Sequence, residues 1–295
     1  MRIVPLPDVE PRPRRVAVGT FDGVHVGHRA VIEGADTVLT FDPHPVSVIS
    51  PGNEPKLLTT LERKGELVGA LGVGELVVIP FDREFAGRSA RQFIDDVLVA
   101  RLGATHVSVG ENFHFGNRAQ GDAELLRADE RFETRVAPLL EVDGEIVSSS
   151  HIRGLVAGGA LEYAGTLLGT PFVVDGPVAH GDKRGRTLGY PTANLVPREG
   201  YARPGHGVYA CRVRTADGRL HAAATNVGVR PMFESGLGEL IEAFLLDFEG
   251  DLYDQPLRVE FLRRLRGEKR FDSVDALLEQ MALDVEATRM VAAIP

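Results

Sequence analysis

Over residues 15–110 short apolar runs alternate with stretches whose apolar positions recur at helical spacing. Arg15–Phe21, Thr37–Phe41, Glu75–Phe81 and His106–Gly110 are short and valine-rich, and read as strands. Between the later runs lie helical patterns. Thr59–Val73 opens on Thr59-x-x-Glu62, the spacing of a capping box. Ser89–Leu102 sets Phe93, Ile94, Val97 and Leu98 on one face. Strands alternating with helices predict a parallel sheet covered on both sides. After about residue 170 the period changes. Phe172–Val174, Val208–Arg214, Leu220–Thr225, Leu240–Phe248 and Leu257–Leu262 read as strands separated by Gly, Asp and Pro, with a hairpin turn at Thr215–Gly218. Successive strands without helices between them predict an antiparallel barrel or sandwich. A final helix runs from Ser273, as N-cap, to Ala293. The expected organisation is an α/β domain over 1–169 and a β-rich domain over 170–295, divided at Gly169-Thr170-Pro171.

Composition narrows the function. The chain has 295 residues, enough for two cores. Its formal net charge of -9 weighs against a nucleic-acid partner, which needs a basic face, but not against a nucleotide substrate. A lone cysteine, Cys211, rules out an intrachain disulfide and fits a reducing, cytoplasmic setting; in its strand-like run it reads as a small buried hydrophobe. No apolar stretch approaches the roughly 20 residues of a membrane helix, so no membrane partner is expected. The proline-rich Met1–Arg15 lacks the apolar core of a signal peptide. Its Arg12, Arg14 and Arg15 read as a solvated lead-in to the first strand. The pattern leaves the chain free to oligomerise without fixing a state.

The densest chemistry lies in Gly19-Thr-Phe-Asp-Gly-Val-His-Val-Gly-His28, leaving a strand and entering a helix. One helical turn can place His25 and His28 on the same side, where the free N–H groups of a helix start attract anions. Gly27 leaves room for backbone to approach a phosphate. Imidazole donors there would steady charge on a reacting α-phosphate. A His-x-x-His pair alone also fits unremarkable polar positions. Here it sits in a glycine-framed turn, and the form resembles the signature of the nucleotidylyltransferase superfamily. The longer string from Phe21 and Asp22 to His25 resembles one branch, the prokaryotic FAD synthetases. Thr40-Phe-Asp-Pro-His-Pro45 resembles that branch's second-strand motif. Gly110-Glu-Asn-Phe-His-Phe-Gly116 resembles its flavin-side loop, which implies flavin contact for Asn112. Phe113 and Phe115 could lie beside the ring system or pack in the core. Ser148-Ser-Ser-His-Ile-Arg153 resembles the element whose serine and arginine hold nucleotide phosphates, which implies that role for Ser148, Ser149 and Arg153, although Ser-Ser-Ser alone reads as an N-cap. The same branch implies nucleotide contact at Gly19, Phe21, Asp22 and Gly27. The chain departs from it at Ser150, where threonine is usual, and in the eight residues Arg29–Asp36, which allow a helix of only about two turns.

Residues 176–194 hold a second candidate. Gly181, Gly185 and Gly189 with Lys183, Arg184 and Arg186 form a basic loop able to wrap a triphosphate, though composition alone also fits a solvated loop. Its ending, Pro191-Thr-Ala-Asn194, resembles the hallmark of riboflavin kinases, which implies that Thr192 and Asn194 help hold Mg²⁺ and ATP phosphates. Glu242, breaking the apolar Ile241–Phe248, matches that family's catalytic glutamate, although a strand glutamate ordinarily faces solvent. Asn226–Pro231 and Phe261–Phe271, with Arg263, Arg264 and Arg266, resemble further stretches of it.

Together the motifs resemble the prokaryotic bifunctional riboflavin kinase/FAD synthetase family from about residue 15 to 290. The resemblance implies an N-terminal Rossmann-like nucleotidylyltransferase (FMN adenylyltransferase) domain followed by a six-stranded β-barrel riboflavin kinase domain with a C-terminal helix. It implies ATP as co-substrate, Mg²⁺ as cofactor, and riboflavin, FMN and FAD as substrates and products. Two rivals are a chain with one active domain and a flavin-binding protein that turns nothing over.

Overall fold

A computed structural model describes residues 1–179, 190–229 and 239–293. The chain forms two compact units, Met1–Ser149 and Ser150–Pro295.

The N-terminal unit is built on a six-stranded sheet. Its strands are β1 (Arg2–Pro5), β2 (Arg14–Val18), β3 (Thr37–Asp42), β4 (Glu75–Pro80), β5 (Ala104–Gly110) and β6 (Glu133–Ala137), in the order β1-β4-β3-β2-β5-β6. Every pairing is parallel. Both faces are buried, which is why these strands read as continuous apolar runs. Val16, Val18, Leu39, Val77 and Ile79 face one core. Ala17, Val38, Leu76 and Val78 face the other. Helices cover the sheet: α1 (Val26–Ile32), α2 (Pro45–Ile49), α3 (Leu61–Ala70), α4 (Arg83–Ala86), α5 (Ala90–Gln92) and α6 (Ala123–Arg127). Ser89 caps α5 through a capping box with Gln92, and the helix runs on as a wider π-type coil over Phe93–Arg101. Its Phe93, Ile94, Val97 and Leu98 enter the first core, as their spacing predicts.

Two local expectations are corrected. The cap of α3 is Thr60, whose Oγ1 accepts from Arg63 N–H at 3.1 Å, one residue later than the Thr59 spacing suggests. The lead-in Met1–Arg15 contains edge strand β1, and Arg14 is buried rather than solvated. The reason is Glu75, buried at the start of β4. Its carboxylate accepts from Arg2 Nη2 at 2.7 Å, Arg12 Nη2 at 3.3 Å and Arg14 Nε at 3.0 Å, so three arginines of that stretch converge on one acid. Edge strand β6 was hidden by Glu133 and Arg135, exposed charges of the kind that mark an edge.

A short hairpin, β7 (Glu141–Val142) with β8 (Glu145–Ile146), follows β6. The second unit begins in α7 (Ser149–Gly158) and continues through α8 (Leu161–Leu168). Helix α8 packs on two strands of the barrel, so by contact the division falls ahead of Gly169. Gly169 itself ends α8 in the left-handed conformation.

The barrel is closed. Its strands β9 (Phe172–Ala179), β10 (Ala193–Leu195), β11 (Gly207–Arg214), β12 (Leu220–Val229), β13 (Glu239–Leu245) and β14 (Pro256–Arg266) pair antiparallel in the order β10-β13-β12-β11-β14-β9, and β10 joins β9. The turn between β11 and β12 is the expected one: Gly218 N–H donates to Thr215 O at 2.9 Å. Phe172, Tyr209, Cys211 and Phe261 fill the interior. Burial pushes the Cys211 thiol up to about 12, confirming it as an inert packing residue. Helix α9 (Val274–Val291), capped by Ser273 with Ala276 N–H at 3.1 Å, lies across β11, β12 and β14. An Arg266–Asp284 ion pair of 2.8 Å ties it to β14. Strand β10 escaped the sequence reading because three residues are too few to show a period.

Candidate active sites

The first site forms where the sheet changes direction. From β2 the chain moves through β3 to β4 on one side and reaches β5 and β6 on the other. Ligands of open α/β sheets bind beyond the strand ends at such a switch point. Strand β2 ends at Val18, and Gly19–His25 cross that crevice before α1 begins. Phe21 and Val24, both buried, take the left-handed backbone that side chains rarely adopt, with φ of 47° and 43°. Such conformations persist only where surroundings impose them, commonly at functional turns.

The surroundings are specific. Asp22 is buried, and its Oδ1 accepts from Leu58 N–H at 2.8 Å and Thr59 N–H at 3.2 Å. Thr59 Oγ1 in turn accepts from Gly23 N–H at 3.1 Å. Ser149 Oγ donates to Asp22 O at 2.9 Å, bringing the serine-rich segment onto the turn. These contacts make Asp22 an organiser of the turn. Gly19 gives room for the Phe21 ring, which would stand 3.0 Å from a Cβ there. At Gly27 a Cβ would meet the His25 ring at 3.2 Å, so this glycine also keeps the imidazole in place.

His25 is the N-cap of α1, and its Nδ1 accepts from His28 N–H at 3.2 Å. That bond puts the His25 proton on Nε2, the nitrogen left to donate. The two rings stack, with centroids 3.5 Å apart and planes at 17°. Burial lowers the His25 pKa to about 4. Burial, and then the charges of His25 and Lys64, hold His28 well below the ordinary imidazole range. At neutral pH both are therefore neutral. His28 Nδ1 is enclosed and, among the described residues, has no hydrogen-bond partner.

Sequence reasoning missed Lys64. It lies on the buried face of α3 with Gly65 and Val68, and its Nζ donates to Thr20 O at 2.7 Å and Thr40 Oγ1 at 3.2 Å. Its signal was a lysine at the apolar phase of a helix, one turn after Leu61. Asn112 is exposed in the loop after β5, beside the same crevice. Phe115 is buried and packs on Phe93 and Phe113, and Phe113, itself half-buried, leans on the same core. Ser148 closes the loop before α7. Arg153, on α7, belongs to the second unit, where its Nη2 donates to Ser150 Oγ at 3.0 Å.

In the barrel, register assembles the second site. Asn194 of β10 and Asn226 of β12 both pair with Glu242 of β13 between them. Directly paired antiparallel residues share a face, so the three side chains stand side by side. It is the face from which Arg212, which shares it through Ala222, reaches Ala293 O just beyond the end of α9. Asn194 is buried, and its Oδ1 has no partner among the described residues. An enclosed, unpaired carbonyl oxygen is the hard donor Mg²⁺ accepts. Thr192 is half-buried just before β10. Asn226 joined this group through register, which its own sequence neighbourhood did not reveal. Gly181, Lys183, Gly185 and Arg186 lie outside the described residues.

Comparison with known proteins agrees with this division. The FAD synthetase family matches residues 8–151 and the riboflavin kinase family residues 168–292. The bifunctional riboflavin kinase/FMN adenylyltransferase of Listeria monocytogenes is 38% identical over 93% of this chain and 91% of its own. The protein of the same name from Escherichia coli K12 is 36% identical over 91% and 90%. A crystal structure described as a macrolide-efflux protein from Streptococcus pneumoniae aligns with a TM-score of 0.88 at 31% identity, covering 97% of this chain and 98% of that one. Among the described residues no helix is long and apolar enough to cross a membrane.

Proposed function

The chain belongs to the bifunctional riboflavin kinase/FMN adenylyltransferase family, and on that premise we propose that it phosphorylates riboflavin to FMN and then adenylylates FMN to FAD. Adenylylation falls to residues 1–169 and phosphorylation to residues 170–295. The observation that carries the reading is the His25–His28 stack at the switch point, two imidazoles held neutral in a strained, multiply anchored turn.

At the first site a phosphate oxygen of FMN attacks the α-phosphorus of ATP, and pyrophosphate leaves. The His25 Nε2–H and the His28 imidazole donate to oxygens that gain charge as the new bond forms. Positioning and electrostatics suffice for such transfer. Gly19, Phe21, Asp22 and Gly27 shape the turn; Ser148, Ser149 and Arg153 hold phosphates; Asn112 meets the flavin.

At the second site Glu242 accepts the proton of the riboflavin 5′-hydroxyl as that oxygen attacks the γ-phosphorus and ADP leaves. Thr192 and Asn194 hold Mg²⁺, which when bound neutralises phosphate charge. Gly181, Lys183, Gly185 and Arg186 wrap the triphosphate. The net charge of -9 and the lone buried thiol support a cytoplasmic enzyme of small substrates without a nucleic-acid partner.

The test is a time course of flavins resolved by chromatography, from purified protein with riboflavin, ATP and Mg²⁺. FMN followed by FAD is the expected result. FMN alone would overturn the first assignment. Flavin binding without ATP consumption would overturn both.

A further inference from the structure

Lys64 is a buried lysine of the N-terminal unit, and packing alone does not explain it. Taking an ammonium out of water costs several kcal/mol, and a methionine would fill the same space without that cost. Among the described residues no carboxylate lies within ion-pair distance of its Nζ, which is held by neutral oxygens instead. One is the carbonyl of Thr20, inside the turn that leads to the histidines. The other is the hydroxyl of Thr40 on β3, which itself donates to Thr20 O at 3.0 Å. Lys64, Thr20 and Thr40 thus close a triangle of hydrogen bonds binding α3, β3 and the turn together.

We infer that Lys64 is a positioning residue of adenylyl transfer, clamping the Thr20–His28 turn from beneath and setting a positive charge behind His28. The inference rests on the assignment of adenylylation to this site. The clamp keeps the turn in its strained course, so the imidazoles stand ready before substrate arrives. The charge opposes protonation of His28 and supplies a fixed field at the phosphates without competing for their oxygens. The groups that face the ammonium are Asp22 of the turn, Asp42 at the end of β3 and His28 of α1. Burial lowers the Lys64 pKa to about 8, the two carboxylates opposing it. The charge is therefore present at neutral pH and lost as the pH rises through about 8.

The test is Lys64→Met in the full chain. FMN adenylylation should lose about 30-fold in kcat while its KM for FMN moves less than about threefold, the split expected for an interaction that matters in the transition state. An alkaline limb near pH 8 in the wild-type kcat profile should be absent from the variant. The His28 Cε1–H NMR resonance should titrate at higher pH in the variant. Riboflavin phosphorylation, the internal control, should be unchanged. A kcat within about threefold of wild type, or an unmoved His28 titration, overturns the inference. If Lys64→Met loses folded protein, Thr40→Val carries the test: it removes one anchor and keeps the ammonium. About threefold to tenfold less kcat with an unchanged melting temperature supports the clamp, and full activity overturns it. Failure of wild-type protein to convert FMN to FAD, with His28 still answering to Lys64, overturns the assignment of adenylylation alone.

Discussion

Glu75 and His25 illustrate two ways of burying an ionisable group. Burial pushes the Glu75 carboxyl up, but the hydrogen bonds and charges of Arg2, Arg14 and Arg12 outweigh it and leave its pKa lowered. Glu75→Gln should destabilise the N-terminal unit by about 3 kcal/mol in urea titrations, because Arg14 stays buried without its counter-charge. The wild-type advantage should be complete above the ordinary carboxylate value of 4.5 and close as pH falls through the lower folded value. His25 has the opposite consequence. Its unfolded form takes a proton near 6.5, while the folded form resists until about 4. His25 should therefore weaken folding as pH falls between those values, by about 3 kcal/mol, and His25→Asn should remove that share of the slope while leaving the share of His28, whose pKa is also lowered. The histidines were legible because glycines frame them in the sequence. Arg14 and Lys64 were not, since their partners lie far along the chain and meet them only when β4 pairs with β3 and α3 covers the sheet.

At the scale of elements, periodicity exposed what is buried on a full face and concealed what is short or half-exposed. The central strands and the Phe93–Arg101 helix announce themselves through runs and stripes. Strands β1, β6 and β10 do not, being edges or only a few residues long. The loop from β5 to α6 is held by a close approach of backbone. Gly116 has a φ of 75°, and a Cβ there would stand 2.5 Å from Ala90 N at the start of α5. Gly116→Ala should cost about 2 kcal/mol in thermal unfolding, through strain and clash together. If Asn112 meets flavin, the same variant should raise the KM for FMN and leave riboflavin phosphorylation unchanged.

For the whole molecule, the two chemistries occupy separately built units with separate cores. Single substitutions should therefore silence one and spare the other. His28→Ala should lower FAD formation by at least about a hundredfold while FMN still accumulates from riboflavin. Glu242→Gln should stop FMN formation by a comparable factor, yet convert supplied FMN to FAD at the wild-type rate. Near-normal FAD synthesis by the first variant, or an unchanged kinase rate in the second, would remove the residue from its role. The order of the two units was legible from the change of period near residue 170. By contact the second unit begins ahead of that change, at Ser150, since α8 carries helical pattern yet packs on β9 and β14.

The closed barrel carries one more consequence. Asn194, Glu242 and Asn226 stand on three consecutive strands, and neighbouring strands of any sheet lie about 4.8 Å apart. The spacing between the residue assigned to the metal and the residue assigned to the proton is therefore a ruler division of the barrel itself. A closed ring cannot slide one strand past another to recover a lost ångström. Side-chain length is the only adjustable dimension left, so Glu242→Asp, which keeps the charge and shortens the reach by one methylene, should be nearly as inactive in phosphorylation as Glu242→Gln.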